Sequence, residues 1–489
     1  MRAVWAVVVA ALSLGVARAQ SVTTYHNSVN RHGDYVVPGL TLAAAATMHL
    51  DPAFKASVTG NVYAQPLYWA PTNTLIVATE SNTVEALNAS TGATVWSTQL
   101  APAAPLSALG CGNVNPEGIT GTPVMDPANG TIYLDALVNL SPGGVHHRLY
   151  AISVTTGHVL PKWPVDVTAG LAALHQSFDP TVQGERSALL LFGGNLYITY
   201  AGRYGDCGSY HGMMVQASRS KPGITAVWAT SAVHGGIWAQ GGATSDGTSI
   251  FATTGNTGGA SSWGGGEAII KLAPGLAFSS APADFFTPAD WLTLDDEDLD
   301  LGGTGAIPFN VPQPGGGEAA RLLALGKDGR AYLVNRTSLG GIGGEVASAP
   351  VSNTVIITGP AVHSTAKATM VAFTNFAGRT CAGESLSMLS ITNSTTTPIT
   401  ETWCQELNGA GAPIITTGAG NSDPIVWVTG AQGDNELHGF NALTGAVVFG
   451  GGGGADSMSG LQHFSTILAA NSHLYVAGSG TVYAFTFTH

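Results

Sequence analysis

Apolar and polar positions alternate in short runs along this chain, and one version of the pattern recurs. A half-apolar run of five to seven residues is followed by a tight turn, often Thr-Gly, and frequently by Trp or Phe. Residues 83–96 carry the clearest copy, residues 148–158 the next and residues 437–449 a late one. Weaker copies lie at 211–217, 267–272, 331–336, 386–392 and 481–487. Period-two alternation makes a strand with one face to bury, and glycine supplies the left-handed backbone the following hairpin needs. The copies stand roughly 45–65 residues apart, the length of a four-stranded propeller blade with its loops. A lone four-stranded sheet cannot cover both its faces, so the copies must stack around an axis. Eight of them predict an all-β, eight-bladed β-propeller.

Within the first blade, residues 62–70, 74–80, 83–89 and 93–99 read as four strands parted by Pro, Asn or Gly turns. The last copy runs to the end of the chain without room for a fourth strand, while residues 53–59 form an unmatched strand-like segment before blade 1. The N-terminal strand is therefore expected to complete the last blade and remove two open sheet edges.

Composition adjusts this picture in a few places. Residues 1–19 have a basic start at Arg2, an apolar run and an Ala17-Arg18-Ala19 cleavage pattern, and they read as a signal peptide. Residues 20–489 then form one propeller domain, expected to be secreted, extracellular or, in a bacterium, periplasmic. The apolar run is too short to span a bilayer and no later run is longer, so no membrane span is expected. The net charge of −13 argues against nucleic acid as a partner. Charged residues make up 10% of the chain and there are 65 glycines, which suits a large turn-rich β body. The cysteines are Cys111, Cys207, Cys381 and Cys404. An even count in an exported chain implies two disulfides, and four cysteines allow three pairings. Because Cys381 and Cys404 flank one strand copy, they are expected to pair, leaving Cys111 with Cys207. Asn88, Asn129, Asn139, Asn335 and Asn393 are glycosylation sequons. The sequence does not fix the oligomeric state.

Candidate chemistry sits in a few phrases. Asp295, Asp296, Glu297, Asp298 and Asp300 crowd one irregular insertion, residues 282–308, in a chain otherwise poor in charge. Such a run supplies hard-cation ligands, a general base, or merely a solvated turn. Lys327 lies in a Gly-Lys-Asp-Gly phrase and Asn256 in Thr-Gly-Asn, both equally good turn sequences. Trp238 is flanked by glycines that allow close approach, and serves either blade packing or ligand stacking. His211 and Tyr210 form a polar cluster beside Cys207, where a structural histidine is the plainer reading. The Gly-rich stretches lack a P-loop lysine, and zinc, c-type haem and serine-hydrolase patterns do not occur.

Taken together, residues 62–67, 118–124, 210–212, 235–238, 254–256, 284–288, 298–302 and 326–329 follow the order of phrases in the quinoprotein (PQQ-dependent) alcohol dehydrogenase-like propellers, which the chain resembles over nearly its whole mature length. The resemblance implies PQQ with Ca²⁺ or a similar hard cation on the axis. It implies Asn256, Asp206 and Asp300 as metal ligands, Asp300 or Asp298 as base, and Lys327, Trp238 and His211 as cofactor contacts. The substrate would be a small alcohol or sugar, and an external electron acceptor would be needed. The chain departs from the pattern in having no adjacent Cys-Cys pair and in carrying Asp-Cys-Gly-Ser at 206–209. The Trp expected beneath the quinone is Trp238 under a shifted alignment, or is lost at Ser245. A non-catalytic binding or scaffold propeller is the alternative, and a polysaccharide-active enzyme a weaker one.

Overall fold

The computed structural model describes residues 20–488, so the expected signal peptide lies outside the described residues. Eight sheets of four or five strands surround an axis. Blade 1 comprises Leu67–Trp69, Thr74–Ala78, Thr83–Asn88 and Thr94–Gln99. Every copy of the sequence pattern falls on the third strand of its blade, as with Met213–Ser218 in blade 3 and Arg330–Asn335 in blade 5. The turn after it leads to the outermost strand. Gly92, Gly157 and Gly445 of the Thr-Gly turns have φ near +75°, a conformation in which a Cβ is strained. Gly92 also packs against backbone: an added Cβ would lie 2.5 Å from the Lys55 carbonyl carbon.

Buried apolar residues gather between neighbouring blades. Leu67, Ile76 and Ala86 of blade 1 pack with Ile132, Leu134 and Ile152 of blade 2, and Trp427 of blade 7 shares a cluster with Leu474 and Phe485 of blade 8. Inter-blade packing is what removes the second face of each sheet from water.

Closure follows the expected route. Blade 8 takes Ile467–Ala470, His473–Gly478 and Thr481–Thr486 from the C-terminal end. Its outer edge is covered by His49–Leu50 and Ala56–Ser57, both antiparallel to Thr481–Thr486. The closing segment thus begins earlier than residue 53 and is broken by a turn.

A feature the sequence pattern did not announce precedes it. Residues 22–37 cross the axis and bond to the inner edge of every blade. Val22 pairs with Tyr68 of blade 1, and the Thr23 carbonyl accepts from Met125 of blade 2 at 2.7 Å. Arg31 donates to the Leu189 and Gly241 carbonyls at the entries of blades 3 and 4. His32 meets the Pro308 carbonyl of blade 5 at 2.8 Å and accepts through its own carbonyl from Val362 of blade 6. Asp34–Val36 runs parallel to the first strand of blade 7, and His26 reaches Thr466 at the start of blade 8. Tyr25, His26 and Arg31 are fully buried, and burial pushes the His26 imidazole down to about 3, so it is neutral.

The insertion is not a loose loop. Phe285–Thr287 is the outer strand of blade 4, Trp291–Asp296 is helical, and Leu301–Gly303 is a 3₁₀ turn. Gly341–Ile342 of the next blade pairs parallel to this outer strand and ties blades 4 and 5 together. Both expected disulfides form. Cys111–Cys207 links loops 96 residues apart, and Cys381–Cys404 joins a loop of blade 6 to its outer strand.

Candidate functional site

A cavity of about 790 Å³ opens on the axis, and the crossing segment lies behind its Gln240 wall, where the Tyr25 hydroxyl donates to Gln240 at 3.0 Å. Trp238, Asn256, Asp298, Asp300, Lys327 and Asp206 all line it. Blade geometry explains the convergence. Asn256 follows the second strand of blade 4, Ile250–Thr254, and Lys327 turns between Glu318–Leu325 and Arg330–Asn335 of blade 5. Asp300 immediately precedes the 3₁₀ turn Leu301–Gly303 in the connection between the two blades.

Asp300 is buried, and one of its oxygens accepts the Asn256 backbone N–H at 2.6 Å. The other is ion-paired with the Lys327 ammonium, which also holds Asp298 at 2.8 Å. The Lys327 ammonium stands 5.3 Å from the Trp238 ring centre. Glycine makes this density attainable: a Cβ on Gly255 would sit 2.3 Å from Asp300 Oδ1 and 3.1 Å from Trp238 Nε1. Behind the pair, Glu267 accepts the Leu301 N–H at 2.6 Å and fixes the Asp300 loop.

Burial raises the Asp300 carboxyl above its ordinary range, although Lys327 and the Asn256 N–H pull the other way. Burial alone would lower Lys327, but Asp300 and Asp298 hold it above its ordinary value. The result is a desolvated carboxylate of increased proton affinity beside a fixed cation, which is what a general base requires.

The remaining expected residues fall differently. Asp298 is exposed at the cavity lining, and the group it binds there is the Lys327 ammonium. Asp295 faces inward, accepting the Thr257 N–H, the Thr257 hydroxyl at 2.9 Å and the Gly259 N–H at 3.1 Å, so it braces the Asn256 loop. Asp296 and Glu297 are exposed, and they read as a solvated turn. Asp206 is exposed at the rim and accepts from the Tyr210 hydroxyl at 2.5 Å. His211 is not among the cavity-lining residues. Its Nδ1 lies 2.9 and 2.8 Å from the Thr230 and Ala232 carbonyls, where it braces a loop. The Cys111–Cys207 bridge staples two rim segments, residues 112–114 and 203–206, that face the cavity.

Sequence reading missed the opposite wall. Glu117, Glu185 and Arg203 are buried there, with Glu117 and Arg203 paired at 3.1 Å. Lone charged residues next to glycine, in a chain with so few charges, were the available signal.

The lining tests what the site accepts. The flat face of Trp238, with Lys327 and Arg186 nearby, fits a planar anionic quinone. The anticipated cation ligands do not form a prepared cage. Both Asp300 oxygens are engaged by protein groups, and one oxygen of the exposed Asp206 accepts from Tyr210. Among the described residues, the one His/Cys/Asp/Glu trio with ligand atoms within 4.8 Å is Asp434, Glu436 and His438 on blade 7, away from this cavity.

Residues 55–202 match the PQQ_2 family model, described as outer membrane protein assembly factor BamB. The structure is similar to quinohemoprotein alcohol dehydrogenase from Comamonas testosteroni, at 14% identity and TM-score 0.65, over 96% of this chain and 81% of that one. A europium-containing methanol dehydrogenase aligns at 12% identity and TM-score 0.63, over 95% and 98% of the two chains. BamB from Moraxella catarrhalis aligns at 14% and 0.51, over 89% and 99%. No curated protein matches the sequence. Residues 55–202 thus resemble the PQQ_2 repeat, and the whole chain has the eight-bladed propeller fold seen in these dehydrogenase structures.

Proposed function

We propose that the protein is an exported oxidoreductase that dehydrogenates a hydroxyl group of a small alcohol or sugar in the axial cavity, using a quinone seated on Trp238. The observation that carries this reading is the buried Asp300–Lys327 pair, with the Lys327 ammonium over the Trp238 ring. A quinone held by Trp238 and Lys327 would supply the acceptor for the hydride, the C–H hydrogen of the alcohol carbon with its electron pair, and an external acceptor would reoxidise it. Asp300 takes the hydroxyl proton at its carboxylate. Lys327 favours the ionised form of that carboxyl and positions it, and the Asn256 N–H fixes its rotamer. The closed inner end, with Gln240 bonded to Tyr25 and to the Phe464 carbonyl, leaves the outer rim as the way in.

The test is titration of purified protein with PQQ, with Ca²⁺ and separately with EDTA, followed by absorbance and dye-linked alcohol oxidation. Quinone binding and turnover are expected, with Asp300→Asn losing at least a hundredfold in turnover while melting at the wild-type temperature. If no quinone binds under either condition, the dehydrogenase reading fails. A quinone-free binding propeller then replaces it, a reading that the family-model match to BamB favours.

A further inference from the structure

Blade 7 brings a second set of chemically able side chains together, on the turn between Ile425–Thr429 and Leu437–Asn441. Asp434, Glu436 and His438 offer ligand atoms that all lie within 4.8 Å of one another. Local structure explains the grouping. Residues 436 and 438 point to one side of the extended chain, while Leu437 between them is buried in the core. Asp434 is brought round by the turn. Asn435 takes φ of +57°, its N–H reaches the Gly430 carbonyl at 2.8 Å, and the Asp434 N–H reaches the Asn408 carbonyl at 3.0 Å. Glycines clear the space for both carboxylates: a Cβ on Gly430 would collide with Asp434 Oδ1, and one on Gly451 with Glu436 Oε2.

The protein does not balance the charge of this trio. His438 Nε2 stands 3.1 Å from Asp434 Oδ2, and among the described residues the Glu436 carboxylate has no hydrogen bond or ion pair. Residues 380–489 contain seven Asp and Glu and no Lys or Arg, so blade 7 supplies no permanent cation of its own. Two carboxylates and a neutral imidazole together match the charge of one divalent ion. The spacing fits as well, since two ligands at about 2.0–2.1 Å from a tetrahedral ion stand about 3.3 Å apart. The donor set selects the ion. Ca²⁺ and Mg²⁺ take oxygen ligands, whereas imidazole with carboxylates suits Zn²⁺ or a similar first-row ion and leaves a fourth position open. The Asp434 and His438 side chains are 24% and 15% exposed, so an ion reaches them from solvent.

We propose that Asp434, Glu436 and His438 bind one Zn²⁺ or similar first-row divalent ion per chain, at a site separate from the axial cavity. The site needs neither quinone nor turnover, so it stands apart from the dehydrogenase reading. Gln432 of the same turn lines the axial cavity, and its Oε1 lies 3.2 Å from Nδ1 of His463, another lining residue. The bound ion therefore fastens this part of the cavity rim.

The experiment is calorimetric titration of the untagged mature chain, stripped with EDTA and dialysed, with ZnCl₂ and separately with CaCl₂. Uptake of one Zn²⁺ per chain is expected, with a higher melting temperature and no competition from excess Ca²⁺. His438→Ala and Glu436→Gln should each weaken uptake by about tenfold or more, while the metal-free variants melt at the wild-type temperature. Glu436→Gln keeps the shape of the side chain and breaks no existing bond, so a folding defect does not stand between it and the readout. Asp206→Asn, on the rim of the axial cavity, should leave uptake unchanged. No uptake, uptake indifferent to both trio variants, uptake lost in Asp206→Asn, or equal binding of Ca²⁺ would each overturn the site. Zn²⁺ uptake by a chain that binds no quinone would uphold the trio while the dehydrogenase reading failed.

Discussion

At the residue scale, function concentrates where burial and charge conflict. Gly255 is the plainest case, because Asp300 and Trp238 both occupy the space a methyl group would need. Gly255→Ala is expected to break the Asp300 bond to the Asn256 N–H and to cut turnover more than tenfold, with a small loss in melting temperature. Steady-state kinetics beside a thermal melt would check it. Buried carboxyls set the pH response. Burial pushes Glu80 up to about 8, and it raises Glu185 and Glu267 as well. These groups are protonated in the folded chain at pH values where the unfolded chain, with carboxyls near pKa 4.3, has lost its protons. Their stabilisation is therefore complete at low pH and is lost as pH rises, for Glu80 between about 4.3 and 8. The melting temperature should fall from pH 5 to pH 9, and Glu80→Gln should flatten that slope. A wild-type profile that is level or rising would contradict the assignment.

At the element scale, the segment across the axis is the unusual component. Residues 22–37 make backbone or side-chain bonds to the inner edge of each blade, and Arg31 is held by carbonyls with no carboxylate beside it. Removing residues 20–37 leaves the closing strands His49–Leu50 and Ala56–Ser57 in place. It also opens eight sheets' inner edges and the Gln240 wall to water. The truncated chain should melt at least 10 °C lower or fail to fold, whereas a simple tail would leave the melt unchanged. Neither this segment nor the Gly341–Ile342 tie was legible beforehand. The Asp34–Val36 and Gly341–Ile342 pairings are parallel and join residues far apart in sequence, so no local periodicity marks them. The third strands were legible because a half-buried strand and its Thr-Gly turn are local requirements.

At the scale of the whole molecule, covalent ties close large loops. The chain-entropy model gives about 5 kcal/mol for the Cys111–Cys207 bridge and about 3 kcal/mol for Cys381–Cys404. Cys111→Ser with Cys207→Ser should therefore lower the denaturation midpoint more than Cys381→Ser with Cys404→Ser. It should also loosen ligand binding, because the first bridge holds two rim segments. Equal midpoints for the two double variants would show that rim strain or residual structure outweighs loop length. No helix among the described residues is long and apolar enough to cross a membrane, and the two disulfides agree with an oxidising compartment.

The chain by itself marked out the repeat, its count and the N-terminal closure, and it gave the cysteine pairing as an expectation among three that the structure then bore out. Each depends on alternation, turn chemistry or spacing, which are written locally. It also singled out Asn256, Lys327 and Trp238 in glycine-bounded phrases and Asp300 within the acidic run, and the family resemblance, not local pattern, gave them their expected roles. Tertiary structure alone decided what those residues are. Circular stacking brought blade 4 and blade 5 loops into one cavity and set the Lys327 ammonium against Asp300. It turned Asp295 and His211 to bracing, left Asp206 at the rim, and lined the far wall with Glu117, Glu185 and Arg203. Charge partners and desolvation depend on groups tens of residues apart, on different blades, meeting around an axis, and no local window of sequence contains that information.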